Sequence, residues 1–309
     1  MSVRDAITPE QRERIGTRRV IVSVSGGKDS VALWLWARRS GLDPVAVYAD
    51  THWELEANEG QKDGPHYEHL ALLESRIGPL HRCAQGYTFE ERVALNRSFP
   101  SRVRKWCTPE LKLEPFAAWL DAYRERTGED VVVLVGVRRE ESAKRADPVE
   151  TPEWEWHSIY DCEMWRPLLA WTLADVMAEH HRAAIPLHPL YHRGAERVGC
   201  WPCVNASKAE LRLLAETSPE RVARIRAMEA EIGATMFTFD RRAEKKRLIK
   251  SGTPKEAAGP SVVPAPIDDV LAWARTTRGG QQLALLAPPS GCMRWGSCDA
   301  PVRDNEGAA

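Results

Sequence analysis

Apolar residues in this chain gather into short dense runs, separated by longer stretches in which they recur at helical spacing. Val20, Ile21, Val22 and Val24 form a β-branched run that reads as a strand buried on both faces. Val45-Ala46-Val47-Tyr48-Ala49 repeats the pattern, and residues 131–137 (VVVLVGV) show it most strongly. Between these runs, residues 66–77 (HYEHLALLESRI) are amphipathic at helical period, and Gly78-Pro79 stops them. Thr108-Pro109 opens a helix through Leu111, Phe116 and Leu120, and residues 8–16 (TPEQRERIG) read as a capped lead-in helix with Pro9 in its first turn. In a doubly wound sheet ligands gather at the carboxyl ends of the strands, which is where Asp50 and Thr51 would lie.

The turn after the first strand carries the clearest chemistry. Ser25-Gly26-Gly27-Lys28-Asp29-Ser30 joins the strand to an apolar helix. Two glycines let the backbone approach a ligand, the helix start offers unpaired N–H groups and its positive dipole end, and Lys28 adds a full charge. That is an anion cradle, and phosphate is its usual guest. The G-x-x-x-x-G-K-[ST] pattern does not fit, because the glycine-to-lysine spacing is too short and an aspartate follows the lysine. At the end of the 131–137 strand, Arg138 and Arg145 put guanidinium groups at the same sheet edge, where they can fork onto phosphate or sulfate oxygens; salt-bridged surface arginines are the alternative. Residues 153–165, with Trp154, Trp156 and Trp165 in an irregular pattern, read as a loop covering the site.

Composition narrows the class. The chain has 309 residues, long enough for one large domain with an appendage, and at 43% hydrophobic and 28% charged it is ordinary for a soluble protein. No apolar run approaches a membrane span, and the start is charged without an apolar segment, so no membrane association and a cytoplasmic location are expected. A net charge of -1 makes any nucleic-acid surface a local one. Two basic runs qualify, Asn96 to Lys112 (with Arg97, Arg102, Arg104 and Lys105 around Trp106 and Cys107) and residues 241–250 (RRAEKKRLIK). Each reads either as a solvated face or as a phosphate-contacting surface.

Seven cysteines without a secretion signal point to metal, cluster or redox chemistry. Cys200-Trp201-Pro202-Cys203 is a C-x-x-C, and Cys292 and Cys298 lie far downstream. Four thiolates can hold a zinc ion or a [4Fe–4S] cluster, and spacing alone does not choose. Cys83 and Cys162 read as buried small hydrophobes. His180, His181, His188 and His192 read as surface or phosphate contacts. Beyond Cys203, residues 207–232 form two amphipathic helices broken at Ser218-Pro219. The expected division is 1–185 nucleotide-binding α/β domain, 186–250 helical segment with the C-x-x-C, 251–266 proline-rich linker and 267–309 cysteine tail with a short helix at its start.

SGGKDS resembles the PP-loop of the N-type ATP pyrophosphatases, which hold the β,γ-diphosphate of ATP and split the bond between the α- and β-phosphorus. The likeness extends to the phosphoadenosine phosphosulfate (PAPS) reductase superfamily. It is carried in order by SGGKDS (25–30), ADT (49–51), RKWCTPELK (104–112), GVRREESAKR (136–145), PLLAWTLADV (167–176) and IPLHPLYHRGAERVGCWPC (185–203). It implies a doubly wound, parallel five-stranded α/β sheet of the adenine-nucleotide alpha-hydrolase type, with a helical cysteine-bearing C-terminal extension. ATP would sit on Ser25, Gly26, Gly27, Lys28, Asp29 and Ser30, with Asp50, Thr51 and Gly136 beside it and Asp29 reaching Mg²⁺. Arg138 and Arg145 would hold the transferring group.

Two departures from the family pattern refine this. Reductases that take a ready-made sulfonucleotide resemble the pattern with a degenerate loop, whereas here the loop is complete. Their nucleophilic cysteine sits in a terminal E-C-G-L-H, whereas this chain carries Gly291-Cys292-Met293-Arg294-Trp295-Gly296-Ser297-Cys298. The resemblance therefore implies an ATP-using, sulfur-inserting member, similar to the DNA phosphorothioation proteins, with DNA or RNA as acceptor and a cysteine desulfurase or other sulfur donor as partner. Cys107, Cys200, Cys203 and one tail cysteine, Cys292 or Cys298, would be the cluster ligands, with zinc as the alternative, and the other tail cysteine the sulfur carrier; we take Cys292 as ligand and Cys298 as carrier, and spacing does not choose between them. The rivals are a sulfonucleotide reductase using a tail cysteine, an ATP sulfurylase small subunit, which would share SGGKDS but has no need of the clustered cysteines, and a non-catalytic nucleotide-binding subunit.

Overall fold

The computed structural model describes residues 7–55, 64–101 and 104–276. Helix α1 (Pro9–Ile15) starts at the cap Thr8 and leads into β1 (Arg19–Ser23). Then follow α2 (Lys28–Arg39), β2 (Val45–Asp50), α3 (Pro65–Ile77), β3 (Leu80–Ala84) and α4 (Phe89–Asn96). A wide turn over Pro109–Leu113 runs straight into α5 (Glu114–Thr127), which feeds β4 (Val131–Leu134). A short turn at Arg139–Glu141 and α6 (Ala143–Ala146) precede the pair β5 (Trp154–His157) and β6 (Cys162–Trp165). The chain continues through α7 (Leu173–Arg182), α8 (Pro189–His192), α9 (Lys208–Thr217), α10 (Pro219–Ile232), β7 (Phe237–Asp240), α11 (Arg242–Lys250), β8 (Val262–Ala265) and α12 (Ile267–Arg275).

The main sheet has the order β3-β2-β1-β4-β6-β5. Its first five members are parallel, with Ile21 opposite Val45 and Val20 opposite Val132. The expected five-stranded parallel sheet is therefore present, extended by β5, which pairs antiparallel with β6 at the edge. The tryptophan-rich stretch 153–165, read from sequence as a covering loop, is this hairpin instead. Trp154 stacks on Trp165 at 4.7 Å between ring centres, so these two are cross-strand packing partners, while Trp156 is exposed.

Alternate residues of β1 enter opposite layers. Val20 and Val22 pack with Trp34 of α2, Leu70 and Leu73 of α3 and Val176 of α7, whereas Ile21 packs with Val47, Val133 and the α5 residues Phe116 and Leu120. Each such side chain contributes about 1.5–3 kcal/mol of burial, which fixes β1 from both faces. Because β1 lies between β2 and β4, the winding direction reverses beside it, and a crevice opens at the carboxyl ends of β1 and β4.

A second core joins Trp53, Phe89, Trp106 and Leu111 to Leu214, Ile225 and Leu271 of α9, α10 and α12. Thus the C-x-x-C region rests on the loop after β2. Residues 251–266, expected as a linker, end in β8, which pairs antiparallel with β7. The tail cysteines Cys292 and Cys298 lie outside the described residues, as does Arg102. No helix among the described residues is long and apolar enough to cross a membrane.

Candidate nucleotide site and thiol pocket

The loop after β1 is held open as a cradle. Gly26 adopts φ +73°, and a Cβ there would come within 3.2 Å of His66 and Leu70 side-chain atoms, so glycine is required twice over. Gly27 caps α2 without a side chain, so no cap group takes up the first-turn N–H groups, of which that of Lys28 donates to the Tyr191 hydroxyl. Ser30 Oγ accepts from the Ser25 N–H at 3.0 Å and donates to the Gly27 carbonyl at 2.9 Å, which braces the turn.

Lys28, Asp29 and Arg138 meet at this turn. Asp29 Oδ2 lies 2.9 Å from Lys28 Nζ, and its Oδ1 accepts from Arg138 Nε at 2.5 Å. Burial pushes the Asp29 carboxyl up, but Lys28 and Arg138 outweigh it and hold it below the usual range. Arg138 also pairs with Glu140 and is only 4% exposed. Arg145, by contrast, pairs with Glu141 of the turn just before its own short helix. Gly136 has a packing role: a Cβ there would sit 2.8 Å from the Asp29 carbonyl oxygen, so its absence lets the β4 exit lie against the first turn of α2.

Of the four histidines read as surface or phosphate contacts, His181 and His192 are exposed, whereas His180 and His188 are not. His180 and His188 are each 1% exposed, and with His66 and His69 they line the back of the loop. His180 Nε2 lies 2.8 Å from the Lys28 carbonyl oxygen, and its Nδ1 lies 3.2 Å from that of Ile185. Tyr191, which had no role assigned from sequence, accepts the Lys28 N–H at 3.2 Å through its hydroxyl. The signal was present in the spacing of His66 and His69 on the apolar face of α3, where a polar ring must find a buried partner.

At the end of β2, Asp50 accepts from the His52 N–H and the Tyr67 hydroxyl. Thr51 donates to Glu54 Oε1 at 2.7 Å, and its Oγ1 lies 3.5 Å from Cys200 Sγ. This contact ties the strand-end crevice to a second feature, a cavity of about 120 Å³ lined by Lys112, Cys200 and Cys203 among others. The half-buried Lys112 is therefore not part of an exposed basic face. Its ammonium neighbours Cys200, Glu54, Cys203 and Cys107, and Cys200 has the largest effect in pushing its pKa up. Burial pushes Cys107 up to about 11 and raises Cys200, with Lys112 opposing in both. Trp106, 7% exposed, stacks on Phe89 as a core residue.

The three thiols thus converge on one ammonium, but they do not close a metal cage. Among the described residues no group of three His, Cys, Asp or Glu side chains is arranged to hold a metal ion. Neither zinc nor a cluster fits the described side chains alone.

The family model for the phosphoadenosine phosphosulfate reductase domain matches residues 19–206. A 37.8 kDa protein of Escherichia phage 186, from the gpa 5′ region, is 32% identical, over 86% of this chain and 91% of that one. An adenosine 5′-phosphosulfate reductase of Rhizobium tropici is 31% identical over 39% of this chain and 62% of its own length. Among solved structures, the PAPS reductase of Candida auris in its phosphate complex aligns at 18% identity with a TM-score of 0.44, over 64% of this chain and 90% of that one.

Proposed function

Because this chain belongs to the phosphoadenosine phosphosulfate reductase family, we propose that it is a nucleotide-binding enzyme of that kind whose nucleotide is ATP itself. The observation that carries the reading is the complete loop, Ser25 to Ser30, folded at an open helix start with Lys28, Asp29 and Arg138 in mutual contact. A loop that bound a nucleotide with no β,γ-diphosphate would have no use for this concentration of anion-binding groups.

In this reading the β,γ-phosphates take the N–H groups of the first turn of α2, together with Lys28 and Ser30. They draw Lys28 and Arg138 away from Asp29, whose carboxylate would then be free to hold a Mg²⁺ ion, and that ion would supply further neutralisation of phosphate charge. An acceptor oxygen attacks the α-phosphorus, the α–β bond breaks, and pyrophosphate leaves with the loop's charge around it. A sulfur nucleophile then displaces AMP from the adenylated acceptor. The acceptor class is nucleic acid and the sulfur donor a separate protein. Arg145 is a further anion contact only if its pair with Glu141 opens. No step in this sequence requires the thiol pocket to hold a metal.

The test uses ATP labelled at the α-phosphate, with Mg²⁺ and DNA or RNA present. AMP and pyrophosphate are the expected products, and Lys28→Ala removes both. Release of ADP and phosphate would sink the reading. Sulfite released from PAPS or adenylyl sulfate, with no ATP cleavage, would favour the reductase alternative, and tight ATP binding without any cleavage a non-catalytic subunit.

A further inference from the structure

The two basic runs have different fates in the fold. Lys112, at the end of the first, is half-buried among thiols, and Arg97 is the left-handed residue that closes α4. The second run becomes α11, and none of its described side chains is buried. A helix with no apolar face to bury gains little from packing, so its sequence is free to serve its surface.

The charges on α11 are of two kinds. Arg241 pairs with Glu244 at 2.8 Å within the start of the helix, while Arg242 pairs with Asp240 at 2.5 Å and Lys245 Nζ donates to the Gly259 carbonyl at 2.6 Å, so the last two anchor the helix to β7 and to the loop before β8. Among the described residues, the side chains of Lys246, Arg247 and Lys250 have no hydrogen-bond or ion-pair partner, and all three are exposed. Arg242, Lys246 and Lys250 recur at i, i+4 and i+8, which puts them in one row about 12 Å long, with Arg247 beside it.

We propose that this row on α11 is a docking surface for the phosphate backbone of a nucleic acid. The inference rests on the reading above that the acceptor is nucleic acid, and adds where it is held. A membrane surface is the less suitable partner. Binding there would need a continuous apolar face, and α11 offers only half-buried Leu248 and Ile249, the latter 40% exposed. A row of cations without an apolar face suits a partner recognised by charge alone, and a sequence-independent backbone contact is of that kind. With a net charge of -1 the chain has no overall attraction for a polyanion, so binding must come from local surfaces such as this row; of the first basic run, Arg97, Arg104 and Lys105 are also exposed.

The experiment measures binding of the full chain to a labelled random-sequence DNA duplex and an RNA single strand across a salt series. Three phosphate contacts predict a loss of about 40-fold in affinity between 50 and 200 mM salt for the duplex. The triple variant Lys246→Glu, Arg247→Glu, Lys250→Glu should weaken binding at least tenfold and reduce the salt slope by about 3. Its thermal melt and its ATP binding should match the unmodified protein, because no core contact is touched. Unchanged affinity and slope in the variant would overturn the proposal. So would absence of binding to both nucleic acids at low salt, or binding to phosphatidylserine vesicles alone. If ATP cleavage persists while α11 proves inert, the docking inference fails and the ATP reading stands. If α11 binds nucleic acid but ATP is never cleaved, the reverse holds.

Discussion

Arg138 Nε donates to Asp29 Oδ1 at 2.5 Å across the start of α2, joining residues 109 positions apart and closing one side of the phosphate cradle. The other carboxylate oxygen faces Lys28 Nζ at 2.9 Å, so one anion neutralises two cations where a triphosphate would bring several more negative charges. Asp29→Asn should therefore separate binding from chemistry. With the competing carboxylate gone, ATP without Mg²⁺ should bind more tightly by calorimetry, while release of AMP and pyrophosphate should fall by about 10²–10³-fold, the scale expected for loss of one preorganised electrostatic group. Parallel loss of binding and cleavage would show Asp29 to be structural only.

Gly136 makes a second prediction, about shape rather than charge. A methyl group there would meet the Asp29 carbonyl oxygen at 2.8 Å and its carbonyl carbon at 2.9 Å, and backbone cannot swing aside as a side chain can. Gly136→Ala should cost about 1–3 kcal/mol of stability in urea unfolding, as overpacking does, and should also weaken ATP binding by moving the first turn of α2. Gly128, whose added Cβ would meet nothing within 4 Å, provides the contrast: φ +70° there strains alanine, but the nucleotide site should be unaffected.

The buried histidines predict an acid limit. Burial, ahead of every neighbouring charge, lowers His66 and His69 to about 4, against about 6.5 in the unfolded chain. Between those values the unfolded state binds more protons than the folded one, so stability rises with pH through this window and is lost as pH falls from about 6.5 toward 4. A single group shifted that far contributes about 3 kcal/mol to the difference. His69→Gln keeps a polar side chain without a proton to gain, so its urea midpoint should fall less between pH 6.5 and 4 than that of the unmodified protein. Equal falls would place the acid sensitivity elsewhere.

What could be read from the sequence was local, and what could not depended on contacts between distant segments. The β1 run, the Ser25–Ser30 turn and the caps at Thr8 and Thr172 are written in consecutive residues, and each has its expected form. The break at Ser218-Pro219 likewise separates α9 from α10, because proline cannot continue a helix from its interior. The β5–β6 hairpin was obscured because burial along β5 does not alternate as in a half-buried strand: Trp154 stacks on Trp165 while Trp156, two residues on, stays exposed. Lys112 looked like one more member of a basic run, since nothing within residues 96–112 reveals that Cys200, from a segment far along the chain, shares its environment. The partners of Arg138 could not be read either: a guanidinium at a strand end was predicted, but not its contact with Asp29.

The thiol pocket gives the last prediction, which turns on Lys112. Its ammonium lowers the cost of ionising Cys200 and Cys107, while burial raises that cost. Lys112→Met keeps the length and apolar stem of the side chain but removes the charge, so both thiols should become harder to ionise. Alkylation by iodoacetamide, followed by peptide mass spectrometry, should slow at Cys200 in Lys112→Met and should remain nearly unchanged at Cys162, which is 4% exposed and packs with Tyr160 in the other core layer. The measurement is made on protein purified without oxygen and with its metal content determined, because a bound metal or cluster would protect the thiols regardless of Lys112. If about four irons accompany each chain and alkylation is blocked at Cys107, Cys200 and Cys203 together, the tail outside the described residues supplies the missing ligand. If no metal is present and Cys200 reacts fastest, the pocket is a thiol site whose reactivity is set by Lys112. Equal alkylation rates at Cys200 with and without the lysine, in metal-free protein, would rule out that influence.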